Sequence, residues 1–444
     1  MLNFQFSYRI RFCLLSIACC LLLSSCSIQQ KISKSAQKVI KDGSLLTAHV
    51  GISIYDTESG KYWYNYQGDK YFVPASNTKI PTCYAAMKYL GDSLVGFRYM
   101  VHDSEIIILP TGDPSFLHAD YNSSRAMELI KKFKSGSLLA NNIVWDKWGS
   151  GWSWNDYTAA YMAERSPFPI YGNTATFYLQ DNRVIVVPVF FNKQIRVSST
   201  PNAIGFSVTR AIDSNDFRIN NGNNKNQVIP FSTGKSFINW IPSIQAELLS
   251  DTLEIPFTVG LVSKVEKNDF NTFHSQLTDS LLKPMMHRSD NFFAEQSLLM
   301  VSNEKLGVMN DAKIIDTLLK TDFKDLPQRP RWADGSGLSR YNLFTPLDFV
   351  SILNKMKNEF GMERIKVIFP TGGEGTITSY YRADSSFIFV KTGTLSGVVA
   401  LSGFLYTKKG KLLIFSILVN NHQASSTAVR RSVEQFIQGI RNKY

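Results

Sequence analysis

Cysteine is scarce in this chain of 444 residues, and most of it lies at one end. Of the five cysteines, Cys13, Cys19, Cys20 and Cys26 precede the body of the protein; Cys83 is left alone, with no partner for an intrachain disulfide. A lone cysteine in an oxidising compartment survives by burial, and Cys83 sits in an expected helix. The six histidines form no HExxH pattern and no Cys/His spacing, so the sequence supports no metal site and calls for no cofactor. No repeat is detectable. Basic residues are in excess, giving a formal charge of +12, but they are scattered. With no basic helix and no RNP-type aromatic strand, nucleic acid is not an expected partner. Gly372-Gly373-Glu374-Gly375-Thr376 lacks the Walker lysine and a preceding buried strand, which makes it a turn and not a phosphate loop.

The first residues carry more information. Arg9 and Arg11 precede an apolar run from Phe12 to Leu23, too short to span a bilayer comfortably and followed by polar residues. That pattern reads as a secretion signal. It ends in Leu23-Ser24-Ser25-Cys26, which resembles the bacterial lipobox, where cleavage before the cysteine exposes a thiol and an amino group for acylation. The expectation is a signal peptide over 1–25, a tether over 26–33 and a lipid on Cys26 that anchors the protein to a membrane of the cell envelope. An ordinary signal peptide with an incidental cysteine is the competing reading.

Beyond the tether, 34–41 reads as a helix, and 48–55 and 61–66 read as strands of a hairpin around Thr57-Glu58-Ser59-Gly60. Pro74-Ala75-Ser76 follows, then a helix over 77–90 with Ile80, Tyr84 and Met87 at helical spacing. The C-terminal end offers strands near 386–391, 397–406 and 411–419 and a helix over 425–440. Strands from both ends could therefore share one antiparallel sheet flanked by terminal helices. Residues 96–264 differ in texture, with short strands such as 184–191, many Asn, Ser and Pro, and an Asn-rich surface run over 220–226. They read as an insertion, mainly β, that splits an α/β (α+β) domain into 34–95 and 265–444.

Acyl transfer from an amide needs an activated nucleophile, a base, donors for the oxyanion and an acid for the leaving amine. Ser76-Asn77-Thr78-Lys79 supplies the first two, because residues three apart share a helix face and Lys79 can reach the Ser76 hydroxyl. A lysine must lose much of its basicity to act as a base at neutral pH, through neighbouring positive charge or burial. Four other Ser-x-x-Lys matches occur, at Ser35, Ser232, Ser280 and Ser302; only Ser76 stands where a strand pair gives way to a long apolar helix. Downstream, Ser289-Asp290-Asn291 opens a second apolar helix, and Lys391-Thr392-Gly393-Thr394 ends the strand 387–390. Ser289 can relay a proton to the leaving nitrogen, and Asn291 can hold Lys79 and a substrate carbonyl. Lys391 can keep Lys79 neutral and attract a carboxylate. Gly393 would let a substrate backbone add to the strand edge, with the amides of Ser76 and Thr394 as the oxyanion hole.

This triplet resembles the penicilloyl-serine transferases, with their Ser-x-x-Lys, Ser-x-Asn and Lys-Thr-Gly motifs. Within them it is most similar to the class C low-molecular-mass penicillin-binding proteins, the D-alanyl-D-alanine carboxypeptidase/endopeptidase family. The longer stretches 74–79, 284–295, 334–346 and 390–404 carry that likeness, supported by 111–114 and 151–157. The resemblance implies a transpeptidase-like domain, an antiparallel sheet flanked by helices, interrupted after the Ser76 helix by an inserted region shorter here than is usual in the family. It implies hydrolysis of peptidoglycan stem peptides or cross-links through an acyl-enzyme on Ser76, with β-lactams as covalent inhibitors. It further implies that Thr392, Gly393 and Thr394 bind substrate and that Asp156, Tyr161 and Arg340 line a pocket for the stem-peptide residue before D-Ala-D-Ala. The ammonium and carboxylate at the far end of meso-diaminopimelate suit Asp156 and Arg340. Two other readings stay open. A serine β-lactamase would share the motifs, although class A enzymes place Ser-Asp-Asn much closer than the 213 residues between Ser76 and Ser289, and no Glu-x-x-Leu-Asn follows Ser289 here. A non-catalytic wall-binding scaffold would be expected to lose one of Ser76, Lys79 or Lys391.

Overall fold

The two ends of the chain build one sheet. The computed structural model describes residues 29–444 apart from 44, 141, 143–145, 182, 199–205, 221–225, 235–242 and 261–266. The expected signal segment, Cys26 and most of the Asn-rich run thus lie outside the described residues. Helix α1 (29–40) leads to strands β1 (His49–Asp56) and β2 (Lys61–Tyr66). From the far end, β14 (Ile388–Leu395), β15 (Val398–Tyr406) and β16 (Leu412–Asn420) complete an antiparallel sheet in the order β14-β15-β16-β1-β2. β1 meets β16 along its whole length, from His49↔Asn420 to Asp56↔Leu413. Such central strands are covered on both faces, which is why β16 reads as a nearly unbroken apolar run and does not alternate.

Helices α2 (Lys79–Tyr89), α5 (Thr278–His287), α6 (Asn291–Leu306), α7 (Asp311–Lys320) and α8 (Pro346–Ile368) share the core on one face of the sheet. The other face is covered by α1 and α9 (Ser426–Lys443). α9 is amphipathic: Val429, Val433, Phe436, Ile437 and Ile440 form its buried stripe, and Ser425 caps it by accepting from the Ala428 amide. α6 is different, being buried continuously from Phe292 to Asn303. Its polar side chains must therefore find partners inside the protein. Gln296 does so by donating to the carbonyls of Gly112 (2.7 Å) and Ser166 (2.9 Å), both in the inserted region.

That region leaves the sheet and its covering helices after α2. It comprises β3 (Ser93–His102), β4 (Glu105–Pro110), α3 (Ser124–Ile130), β5 (Ser135–Leu139), β6 (Thr174–Gln180), β7 (Arg183–Val187), β8 (Ile195–Ser198), β9 (Ser207–Thr209), β10 (Phe217–Asn220), β11 (Asn226–Pro230), α4 (Ser243–Leu253), β12 (Phe257–Gly260) and β13 (Asn271–Leu277). A five-stranded sheet, β12-β5-β4-β3-β13, and two three-stranded sheets, β8-β10-β9 and β11-β6-β7, enclose a separate aromatic-rich core. Because β13 pairs back onto β3, ending at Leu277↔Ser93, the chain returns later than the sequence texture suggested, at the start of α5.

Three local expectations change for physical reasons. The strand expected over 184–191 stops at Val187, since Pro188 has no N–H for a ladder, and a 3-10 turn over Val189–Gln194 buries Phe191. The strand expected to end before Lys391 instead runs to Leu395, so the motif lies within it. The Ser76 segment is not the start of an α-helix but a 3-10 turn, Ala75–Thr78, ahead of α2. Among the described residues no helix is long and apolar enough to cross a membrane.

Candidate active site

Ser76 sits on that tight turn, held from below. Asn77 donates from Nδ2 to Ser402 Oγ on β15 (2.6 Å), and Ser402 donates to Ser416 Oγ on β16 (2.8 Å), a buried polar ladder that ties the turn to the sheet centre. The preceding Ala75 has φ +48°, a left-handed conformation that costs an L-residue about 1–2 kcal/mol. Gly337, at φ +82°, explains how the turn is braced: a Cβ there would lie 1.9 Å from the Ala75 carbonyl oxygen. Only glycine lets the loop 334–342 approach so closely.

Lys79 Nζ lies 3.0 Å from Ser76 Oγ, 2.6 Å from Asn291 Oδ1 and 2.7 Å from the Ser336 carbonyl oxygen. Two of these partners can only accept, because Asn291 turns its Nδ2 to the Tyr161 carbonyl (3.0 Å), which fixes the amide orientation. A neutral amine has two N–H groups and one lone pair. Asn291 and Ser336 take the two hydrogens, and the lone pair is left facing the Ser76 hydroxyl. Burial pushes the Lys79 pKa down to about 8, against the opposing pull of Asp334, Glu295 and Asp290. Of the two causes expected from the sequence, burial and neighbouring positive charge, burial is the largest.

The second and third motifs meet. Lys391 Nζ donates to Ser289 Oγ (2.8 Å) and to the Thr392 carbonyl (2.9 Å). Burial holds Lys391 well below the ordinary lysine value, and the charges of Lys79 and Arg430 act in the same direction. Ser289 lies outside α6 at φ +63°, and Asp290 is the helix cap, accepting from the Phe293 amide at 3.0 Å. The Ser289 hydroxyl is thereby left to Lys391. Gly393 also has a part in the fold: a Cβ there would lie 2.5 Å from the Pro74 carbonyl oxygen and 3.1 Å from the Ala75 Cβ. β14 thus presses against the Ser76 turn and brings the Thr394 segment beside Ser76. Thr392 Oγ1 donates to Thr376 Oγ1 (2.7 Å), within the glycine-rich turn, and Arg430 donates to Thr394 Oγ1.

Asp156 and Tyr161 occupy two short turns of the inserted region, Trp154–Asp156 and Ala160–Met162. The Tyr161 phenol is pushed above its ordinary value by burial and by its hydrogen bond to Asp156, while its carbonyl holds Asn291. Arg340 is on the loop 334–342 and donates to the Ser396 carbonyl (2.7 Å), in the turn after β14. The insertion docks here through Trp152, whose Nε1 donates to Asp334 Oδ2 (2.9 Å). Buried Asp334 also accepts from the amides of Gly337 (2.8 Å) and Ser339 (2.7 Å) and from Asn342 Nδ2 (2.7 Å). Glu295, equally buried, accepts from the Ser336 amide (2.7 Å) and faces Arg165 (3.4 Å). The sequence reading missed Asp334, Glu295 and Ser336. A glutamate inside the apolar run FFAEQSLLM was the available signal.

A family profile described as the D-Ala-D-Ala carboxypeptidase 3 (S13) family matches residues 32–443. The chain belongs to this family. Among its relatives, the D-alanyl-D-alanine carboxypeptidase DacB of Haemophilus influenzae is 25% identical over 435 residues, covering 89% of this chain and 90% of the relative. The D-alanyl-D-alanine carboxypeptidase of Actinomadura sp. strain R39 is 25% identical over 447 residues, covering 88% and 81%. In fold the chain is similar to penicillin-binding protein 4 of H. influenzae, with a TM-score of 0.69 at 22% identity over 93% of this chain and 98% of that one. A predatory endopeptidase of Bdellovibrio bacteriovorus, Bd0816, gives 0.52 at 13% identity, over 89% and 94%. This S13 protein is a peptidase with the penicillin-binding-protein fold.

Proposed function

We propose that the protein is a serine D-Ala-D-Ala carboxypeptidase/endopeptidase in which Ser76 forms the acyl-enzyme. The observation that carries the assignment of roles is the buried Lys79 amine, 3.0 Å from Ser76 Oγ and held by the Asn291 and Ser336 oxygens, so that in its neutral form the lone pair is left for Ser76. Lys79 takes the Ser76 proton as Oγ adds to the carbonyl of the penultimate D-alanine, and the amides of Ser76 and Thr394 receive the oxyanion. The C–N bond then breaks as Ser289 relays the proton held by Lys79 to the leaving nitrogen, which leaves an ester on Ser76 and a neutral Lys79. Water, activated by the same lysine, hydrolyses the ester and restores the serine.

Asp156, Tyr161 and Arg340 are assigned to the stem-peptide residue before D-Ala-D-Ala, supported by their connection to Asn291 on one side and to the Ser396 turn on the other. Cys26 is assigned as the lipid attachment that tethers the enzyme to an envelope membrane, supported by its lipobox context. Cys26→Ser is expected to release the protein into the soluble fraction; wild-type protein recovered without lipid mass would remove this assignment. The catalytic role is tested by intact-protein mass spectrometry after benzylpenicillin. A full-size adduct that is absent from Ser76→Ala is the expected result, and labelling of another serine would overturn it.

A further inference from the structure

The strand that carries Lys391 has a second cation beside it. β14 is an edge strand whose side chains alternate: Lys391 and Gly393 face Ser289 and the Ser76 turn, and Thr392 and Thr394 face the α9 side. Arg430 of α9 donates from Nη2 to the exposed Thr394 Oγ1, and its guanidinium lies 5.9 Å from the centroid of Tyr380. Its Nε–H is buried without a hydrogen-bond partner. Among the described residues, no carboxylate lies within ion-pair distance of it. A guanidinium with an unanswered buried N–H and only a hydroxyl for its forked end is an incomplete anion site.

The reaction supplies an anion at this edge. In a terminal D-alanine, and equally at the D-centre of a cross-linked diamino acid, the nitrogen released from the scissile bond sits on a carbon that carries a carboxylate. We propose that Arg430, with the hydroxyl of Thr394, binds this carboxylate of the leaving residue, so that its recognition comes from α9 as well as from the Lys391 side. The inference rests on the D-alanyl peptidase reading above. Bringing a carboxylate to the cleft without a countercharge is costly. Burial disfavours the charged forms of Lys79 and Lys391, whereas a guanidinium keeps its charge throughout the physiological range. A substrate adding along the β14 edge is accessible from both faces of that strand, so Lys391 on one and Arg430 on the other can share the anion.

The test compares an acyl-D-Ala-D-Ala peptide with the same peptide ending in D-alaninamide. Wild-type enzyme is expected to favour the free carboxylate in kcat/KM by about 10- to 100-fold, the range of one charge-assisted contact, and Arg430→Ala to reduce that preference to within about threefold. Arg430→Lys should retain part of it, and unchanged circular dichroism would show that the variants fold. A preference that persists in Arg430→Ala, or a loss that is equal on both peptides, overturns the carboxylate site while leaving the peptidase reading intact. Failure of the wild type to cleave either peptide overturns both.

Discussion

At the scale of single residues, the chemistry depends on how two buried groups hold protons. Lys79, at about 8, must be neutral to accept the Ser76 proton, so the rate of acylation by benzylpenicillin should rise with pH and level off above about 8. Glu295 bears on this limb because its carboxylate favours the protonated lysine while its hydrogen bond to the Ser336 amide sets the carbonyl that holds Nζ. Glu295→Gln keeps an acceptor for Ser336 but removes the charge, and the limb should move to lower pH. A stationary limb with a uniformly lower rate would limit Glu295 to a structural part. Burial and Asp334 raise the Glu295 pKa to about 7 against Arg165, so the folded state binds its proton more tightly than the unfolded chain does. Its stabilising contribution is therefore fully present below about pH 4.5 and lost as pH rises through about 7. Chemical denaturation at pH 5 and pH 8 should show a difference that narrows in Glu295→Gln.

At the scale of elements, the site depends on β14 and the 3-10 turn lying against each other. Gly393→Ala would place a methyl group 2.5 Å from the Pro74 carbonyl oxygen, a backbone atom that cannot turn aside as a side chain can. The expected outcome is a loss of about 1–3 kcal/mol in denaturation and slower acylation of Ser76, since the strand and the turn must separate. Asp290→Ala removes the α6 cap and should cost about 1 kcal/mol. That substitution should also loosen Ser289 and Asn291, the residues flanking the cap. Near-normal stability and acylation in Gly393→Ala would show that the contact is dispensable.

At the scale of the molecule, the inserted region is fixed to the catalytic layers by contacts with buried groups: Trp152 to Asp334, Gln296 to Gly112 and Ser166, and Arg98 paired with Glu304 at 2.7 Å. This docking brings the Tyr161 carbonyl onto Asn291, with Asp156 beside the Tyr161 phenol. Binding energy remote from the scissile bond orients it, so a lost contact there lowers the rate of chemistry as well as affinity. Arg340→Ala should reduce kcat/KM for a diaminopimelate-containing peptide by about 10- to 100-fold and affect a short acyl-D-Ala-D-Ala far less. Equal losses on both would mean that Arg340 supports the Ser396 turn and not specificity.

The three motifs and their placement on separate elements were legible in the sequence because local spacing dictates them: Ser76 and Lys79 share a turn wherever that turn is placed, and the apolar strands at the two ends could share one sheet. What lay beyond the sequence was set by contacts between distant segments. Asn291 is an expected partner of Lys79, but nothing near Lys79 in the chain indicates that the Ser336 carbonyl holds it too, or that burial is the largest cause of its lowered basicity. That Gly393 also packs against Pro74 is not readable from its motif, and Arg430, in an ordinary amphipathic helix, becomes notable only where α9 meets the sheet edge. Residue spacing determines which groups can share an element, whereas desolvation and donor–acceptor pairing depend on what the fold packs around them, and only the tertiary structure decides that.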